Sequence, residues 1–112
     1  MIRRVVLVRS DQKDRVDAAL ARLSDLRGTL GCVRDVEVGR DVGGRCLGYD
    51  RMFTLTFDTA ADILRWRDHP AHQPLRSVLD SCATLLVFEY EVATAAGETV
   101  DARAAAPPTA GG

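Results

Sequence analysis

The chain has 112 residues, 46% of them hydrophobic and 28% charged, values that fit one soluble globular domain with a modest core. A formal net charge of -1 gives no general attraction to nucleic acid or to an anionic membrane surface, so we expect neither partner. The apolar run over residues 5–8 is too short for a signal-peptide core or a membrane span, and we expect a cytoplasmic protein.

Alternating and helical apolar patterns predict four strands and three helices. Asp11 is the predicted cap of the first helix, and Gly28 is predicted to end it. Asp58 or Thr59 is predicted to cap the second helix, and Pro74 to be the first residue of the third. In chain order the predicted elements are a strand over 3–9, a helix over 13–27, strands over 33–42 and 49–57, helices over 60–68 and 74–82, and a strand over 83–92.

This order is typical of the split βαβ, ferredoxin-like α+β fold, in which helices cover one face of an antiparallel sheet. Residues 5–8 are apolar on both faces of their strand, so something should cover the second face of the sheet. A homodimer with two sheets packed face to face would cover it and enclose a small cavity. Residues 93–112 have no apolar period, which predicts a flexible tail outside a domain over 1–92.

The stretch over residues 66–74 holds both histidines of the protein, its only tryptophan and two of its four prolines. Histidine is the side chain most easily poised between acid and base near neutral pH, so we expect any chemistry to lie near His72. His69 precedes Pro70 and is expected to cap the turn there. The two imidazoles lack a third ligand of matching type nearby, and we expect no metal site.

Five short segments stand out along the chain: residues 1–7, 38–42, 48–50, 69–73 and 86–90. Taken in this order, they resemble the stress-responsive dimeric α/β-barrel family, often called Dabb. The resemblance covers residues 1–92 and implies a dimeric α+β barrel. The olivetolic acid cyclase type of this family works without a metal or cofactor, so we expect no cofactor here.

Within this family the chain is similar to the olivetolic acid cyclase type, which closes a linear poly-β-keto chain by aldol condensation. In that type, the histidine that ends the His-Pro-Ala-His motif acts as base, and it corresponds to His72. An acidic residue of the last strand supports the base and corresponds to Glu89. The substrate-binding tyrosine of the type corresponds to Trp66, and the frequent histidine of the first strand is Arg4 here.

We therefore predict an enzyme that binds a small hydrophobic, carbonyl-bearing molecule and promotes proton transfer or cyclisation. His72 would be the general base, and Glu89 would orient its ring. The residues predicted to contact the substrate are Trp66, Arg4, Tyr49 and His69.

Other interpretations stay open. Arg4 can instead pair with Glu89 or Glu91 across the sheet, which would take Glu89 away from His72. The barrel can also be a non-catalytic, stress-associated binding protein. A third possibility is a cofactor-free or haem-linked monooxygenase of the same architecture.

Overall fold

The computed structural model describes residues 1–92, which form one antiparallel sheet with three helices on one of its faces. The strands are β1 (Ile2–Arg9), β2 (Asp35–Arg40), β3 (Arg51–Phe57) and β4 (Thr84–Glu91), and the helices are α1 (Lys13–Asp25), α2 (Ala60–Arg67) and α3 (His72–Cys82). The strand order is β2-β3-β1-β4, and every neighbouring pair is antiparallel. The predicted ferredoxin-like α+β fold is therefore confirmed, whereas the predicted tail over 93–112 lies outside the described residues.

The ends of α1 and α2 follow from local hydrogen bonding. The prediction that Asp11 caps α1 is wrong: the cap is Gln12, whose N–H donates to the Ser10 hydroxyl at 2.9 Å. Past the end of α1, Gly28 adopts a φ of +82°, which only glycine reaches without strain. Thr59 caps α2 as predicted, because its hydroxyl accepts the backbone N–H of Asp62 at 3.3 Å.

Helix α3 begins two residues earlier than the proline pattern predicts. The backbone N–H of His72 donates to the carbonyl of His69 at 3.0 Å, which closes the turn between α2 and α3. Pro74 is consequently the third residue of α3 and not the first. A proline is tolerated there because the N–H groups of a first helical turn have no partner within the helix.

The core fills the space between the helices and one face of the sheet. The helices contribute an apolar stripe from α1 and one large side chain each from α2 and α3. The most deeply buried of these side chains are Val16, Trp66 and Leu79 from the helices and Val8, Leu55 and Phe57 from the sheet, none more than 1% exposed. Burial of these apolar side chains determines which face of each helix packs against the sheet.

The opposite face of the sheet has no helix over it among residues 1–92. Val5 pairs with Phe88, and Leu7 with Leu86, so these four side chains share that face. Phe88 is 66% exposed and Leu86 51% exposed. An apolar face of this kind is typical of a surface that associates with another protein chain. No helix within residues 1–92 is long and apolar enough to cross a membrane.

Candidate functional site

A cavity of about 620 Å³ lies between the sheet and helices α2 and α3. Its wall is mostly apolar, with Val6, Phe53, Leu55, Leu75, Leu79 and Leu85 among the lining residues. Val87 also lines the cavity and is 57% exposed, so the cavity opens beside β4. This cavity therefore lies within one subunit, on the helical side of the sheet. The cavity expected between two packed sheets would form only with a second chain and stays a prediction.

Trp66 joins the two histidines into one aromatic cluster. Its side chain is 1% exposed and lines the cavity from the last turn of α2. The His69 ring stacks on the indole with centroids 5.8 Å apart, and the His72 ring lies edge-on with centroids 5.3 Å apart. Because aromatic pairs favour these two arrangements, the indole holds both imidazoles in position.

His72 lines the cavity from the first turn of α3, and a backbone carbonyl orients its ring. The Nδ1 atom lies 3.0 Å from the carbonyl oxygen of Arg67. A carbonyl oxygen only accepts hydrogen bonds, so this contact requires the proton of the neutral imidazole to be on Nδ1. The Nε2 atom then carries the lone pair, and it has no hydrogen-bond partner within the described part of the chain.

Glu89 is held by Arg4 and not by His72. These residues are directly paired between β1 and β4, and Arg4 Nε lies 2.5 Å from Glu89 Oε2. The interpretation in which Arg4 pairs with Glu89 across the sheet is therefore the one that the structure shows. Among residues 1–92 the orienting contact of His72 is with the Arg67 carbonyl, and no hydrogen bond joins His72 to Glu89.

His69 and Tyr49 have different surroundings. The Nδ1 atom of His69 accepts the backbone N–H of Ala71 at 3.1 Å, which is the turn-capping contact expected from the sequence. His69 does not line the cavity, and it borders a neighbouring groove that His72 also lines. Tyr49 does not line the cavity, and its ring lies beneath the guanidinium of Arg9 at 4.8 Å. The cavity thus brings together Arg4, Trp66 and His72.

Two charged lining residues were not identified from the sequence. Arg76 and Asp80 line the cavity from α3, and they form an ion pair with each other at 3.2 Å. Arg76 and Asp80 follow His72 by four and eight residues, a spacing that places all three on one helix face. This spacing could have identified both residues as neighbours of His72 from the sequence. Within residues 1–92 no group of three or more His, Cys, Asp or Glu side chains is arranged to hold a metal ion.

Solved structures with the same fold include a protein of unknown function and proteins described as enzymes of two different kinds. A dimeric ferredoxin-like protein of unknown function from Jannaschia sp. CCS1 is 25% identical, with a TM-score of 0.71 and coverage of 81% of this chain and 98% of that one. A hydroxynitrile lyase from Passiflora edulis is 20% identical, with a TM-score of 0.70 and coverage of 84% and 94%. A protein from Deinococcus radiodurans, described as a candidate antibiotic biosynthesis monooxygenase, is 12% identical, with a TM-score of 0.70 and coverage of 85% and 95%.

The last two similarities show the fold alone, because little of the sequence is shared. No curated protein matches the sequence significantly. The model of the stress responsive A/B barrel domain matches residues 2–92, which is nearly all of the chain that the structure describes. The chain therefore belongs to the stress responsive A/B barrel domain family, Dabb.

Proposed function

We propose that this protein is a cofactor-independent enzyme in which His72 removes a proton from the carbon next to a carbonyl group. The observation that carries the proposal is the contact between His72 Nδ1 and the Arg67 carbonyl, 3.0 Å apart, which leaves Nε2 free to accept a proton. A positioned base of this kind contributes roughly 10²–10⁴-fold to the rate of a proton transfer.

The wall of the cavity suits an apolar substrate that carries carbonyl groups. Leucine, valine and phenylalanine side chains form most of the surface around His72, and the Trp66 indole lies beside the imidazole. Such a wall excludes water from a bound chain and strengthens the electrostatic interactions of the few polar groups within it.

The proposed reaction is ring closure of a linear β-keto chain. The Nε2 atom of His72 takes the α-proton, and the carbanion attacks a second carbonyl carbon of the same chain. One carbon–carbon bond forms, and the second carbonyl oxygen becomes an alkoxide. The imidazolium of His72 returns the proton to that alkoxide, so the base is regenerated and no oxidant or reductant is needed.

We also propose that the protein functions as a homodimer. Three proteins with the same fold are described as dimeric. The apolar sheet face that carries Leu86 and Phe88 lies opposite the cavity, so two such faces can pack together without covering the mouth of the cavity. Sheets stack about 10 Å apart in such arrangements.

Deuterium exchange tests the proposed base without knowledge of the physiological substrate. A simple apolar ketone, 2-heptanone, is incubated with the protein in D₂O, and incorporation at the α-carbons is followed by NMR. We expect the wild-type protein to accelerate exchange and His72→Gln to lose about 100-fold or more of that acceleration. The matched control is Gln73→Ala, the next residue of α3, which is exposed and does not line the cavity.

Equal acceleration by the wild-type protein and His72→Gln would reject His72 as the base. Binding of the ketone with exchange at the rate of buffer alone would instead indicate the non-catalytic binding barrel.

A further inference from the structure

Arg4 has unused hydrogen-bond donors at the cavity. Its Nε donates to Glu89, whereas its two terminal nitrogens, Nη1 and Nη2, make no hydrogen bond with any group of residues 1–92. The side chain is 22% exposed and lines the same cavity as His72. A guanidinium carries five N–H donors in a planar fork, so four of them are available to a ligand.

The other cation of the cavity wall differs from Arg4 in its surroundings. The Arg76 side chain is 61% exposed and is paired with Asp80 on the next turn of the same helix. The charge of Arg76 is therefore more exposed to solvent than that of Arg4, whose guanidinium lies 5.7 Å from the buried Phe57 ring. A charge that is partly shielded from water gains more from an oppositely charged ligand than a fully solvated one does.

We propose that the cavity takes an anionic ligand, the carboxylate of an acid with an apolar tail, and that the terminal nitrogens of Arg4 bind that carboxylate. A carboxylate matches the two parallel N–H groups of a guanidinium edge in a bidentate contact. The tail then lies against the leucine and valine wall that leads to Trp66 and His72. This inference rests on the proposed function, for which it names the substrate class as a 3-oxo acid.

Glu89 acts on the ligand through Arg4. Its carboxylate fixes the guanidinium by the bond to Nε, and its negative charge opposes the arrival of a second carboxylate. The two members of this ion pair therefore have opposite effects on anion binding. Loss of the arginine removes the anion site, whereas neutralisation of the glutamate removes a competing charge and strengthens it.

Binding of hexanoate and of hexanamide, its neutral isostere, tests the proposal. The fluorescence of Trp66, the only tryptophan of the chain, reports occupation of the cavity that it lines. We expect hexanoate to bind more tightly than hexanamide, and Arg4→Met to weaken hexanoate binding by about tenfold or more, as for the loss of a charge-assisted hydrogen bond. We expect Glu89→Gln to strengthen hexanoate binding and to leave hexanamide binding unchanged.

Arg3→Met is the matched control for a loss of positive charge on β1. Arg3 is the adjacent residue, lies on the opposite face of the sheet and donates to the Tyr90 hydroxyl at 3.0 Å. The Arg3→Met variant should still bind hexanoate more tightly than hexanamide. Equal affinity of the wild-type protein for the two probes would overturn the proposal. Weaker hexanoate binding in both Arg4→Met and Glu89→Gln would overturn it as well, because it would show that the ion pair has a purely structural role.

The outcome is separable from that of the proposed reaction. The binding measurement contains no chemical step, so His72→Gln should still prefer hexanoate to hexanamide. A preference for hexanoate that depends on Arg4, together with no acceleration of ketone exchange, would support the anion site and reject the proposed base.

Discussion

The imidazole of His72 lies edge-on to the indole of Trp66, with 5.3 Å between the ring centroids and 60° between the ring planes. Trp66 belongs to the last turn of α2 and His72 to the first turn of α3, so this contact spans the junction between the two helices. The proposed base is consequently held from two directions, by the indole and by the Arg67 carbonyl.

Replacement of Trp66 should destabilise the whole domain. The side chain is 1% exposed and belongs to the cluster of buried residues that forms the core. We expect Trp66→Ala to lower the free energy of unfolding by about 3–5 kcal/mol, the usual cost of deleting a large buried aromatic side chain. Urea denaturation followed by circular dichroism measures this change.

Leu64→Ala is the control for the Trp66 variant on the same helix. Leu64 is 53% exposed, so its truncation should change the free energy of unfolding by no more than about 0.5 kcal/mol. Similar values for Trp66→Ala and Leu64→Ala would contradict the packing of the indole described above.

The two histidines should have opposite neutral tautomers. His72 Nδ1 faces a carbonyl oxygen and must carry a proton, whereas His69 Nδ1 accepts an N–H from Ala71 and must not. Nitrogen-15 NMR at a pH where both rings are neutral distinguishes the tautomers by the chemical shifts of the ring nitrogens. We expect a protonated Nδ1 in His72 and a protonated Nε2 in His69.

One possible result of the same NMR measurement would contradict this prediction. A protonated Nε2 in both rings would show that the Arg67 carbonyl does not orient His72. The proposed base would then lose the observation that supports it.

Periodicity predicted the helices and strands because they depend on local patterns, and their order along the chain then indicated the ferredoxin-like fold. The stripe of Val16, Leu20 and Leu23 marks the buried face of α1 directly, and the short connections leave few topologies open. The burial of Trp66 follows from the same reasoning, since an aromatic residue at helical spacing usually packs in the core.

The sequence could not identify the partner of Glu89, because that partner depends on the pairing of two strands that are distant in the chain. Glu89 and Glu91 share one face of β4, and only the pairing of β4 with β1 decides which of them meets Arg4. That pairing joins residues 85 positions apart in the chain. Sequence patterns do not predict the contact between His72 and the Arg67 carbonyl either, because it follows from the path of the backbone through the turn after α2.

A charge on the exposed sheet face should prevent dimer formation. Phe88 is 66% exposed on the face without helices, so Phe88→Asp would bury a carboxylate if two such faces packed together. We expect the wild-type protein to sediment as a dimer and Phe88→Asp as a monomer. Sedimentation equilibrium gives the two masses.

Leu64→Asp introduces the same charge at an exposed apolar residue of α2, on the other side of the sheet. We expect Leu64→Asp to sediment as a dimer, as the wild-type protein does. A dimeric Phe88→Asp variant would show that the two copies associate through a different surface.

The ion pair between Asp17 of α1 and Arg51 of β3 should make stability depend on pH in the acidic range. Arg51 Nε lies 2.6 Å from Asp17 Oδ1, and the hydrogen bond from this guanidinium holds the pKa of Asp17 below its usual value. A carboxyl group whose pKa is lower in the folded state stabilises the protein above its unfolded pKa of about 3.9. That contribution is lost as the pH falls through the folded pKa.

Asp17→Asn should therefore lower the free energy of unfolding at neutral pH, and the difference from wild type should shrink on acidification below pH ~4. The Asp17 side chain is 40% exposed, so solvent screening limits the loss at neutral pH to about 1 kcal/mol or less. Asp11→Asn is the control, because Asp11 is exposed and forms no ion pair within the described residues. Urea denaturation at a series of pH values compares the two variants. A loss for Asp17→Asn that stays constant down to acidic pH would show that the carboxylate contributes through packing and not through its charge.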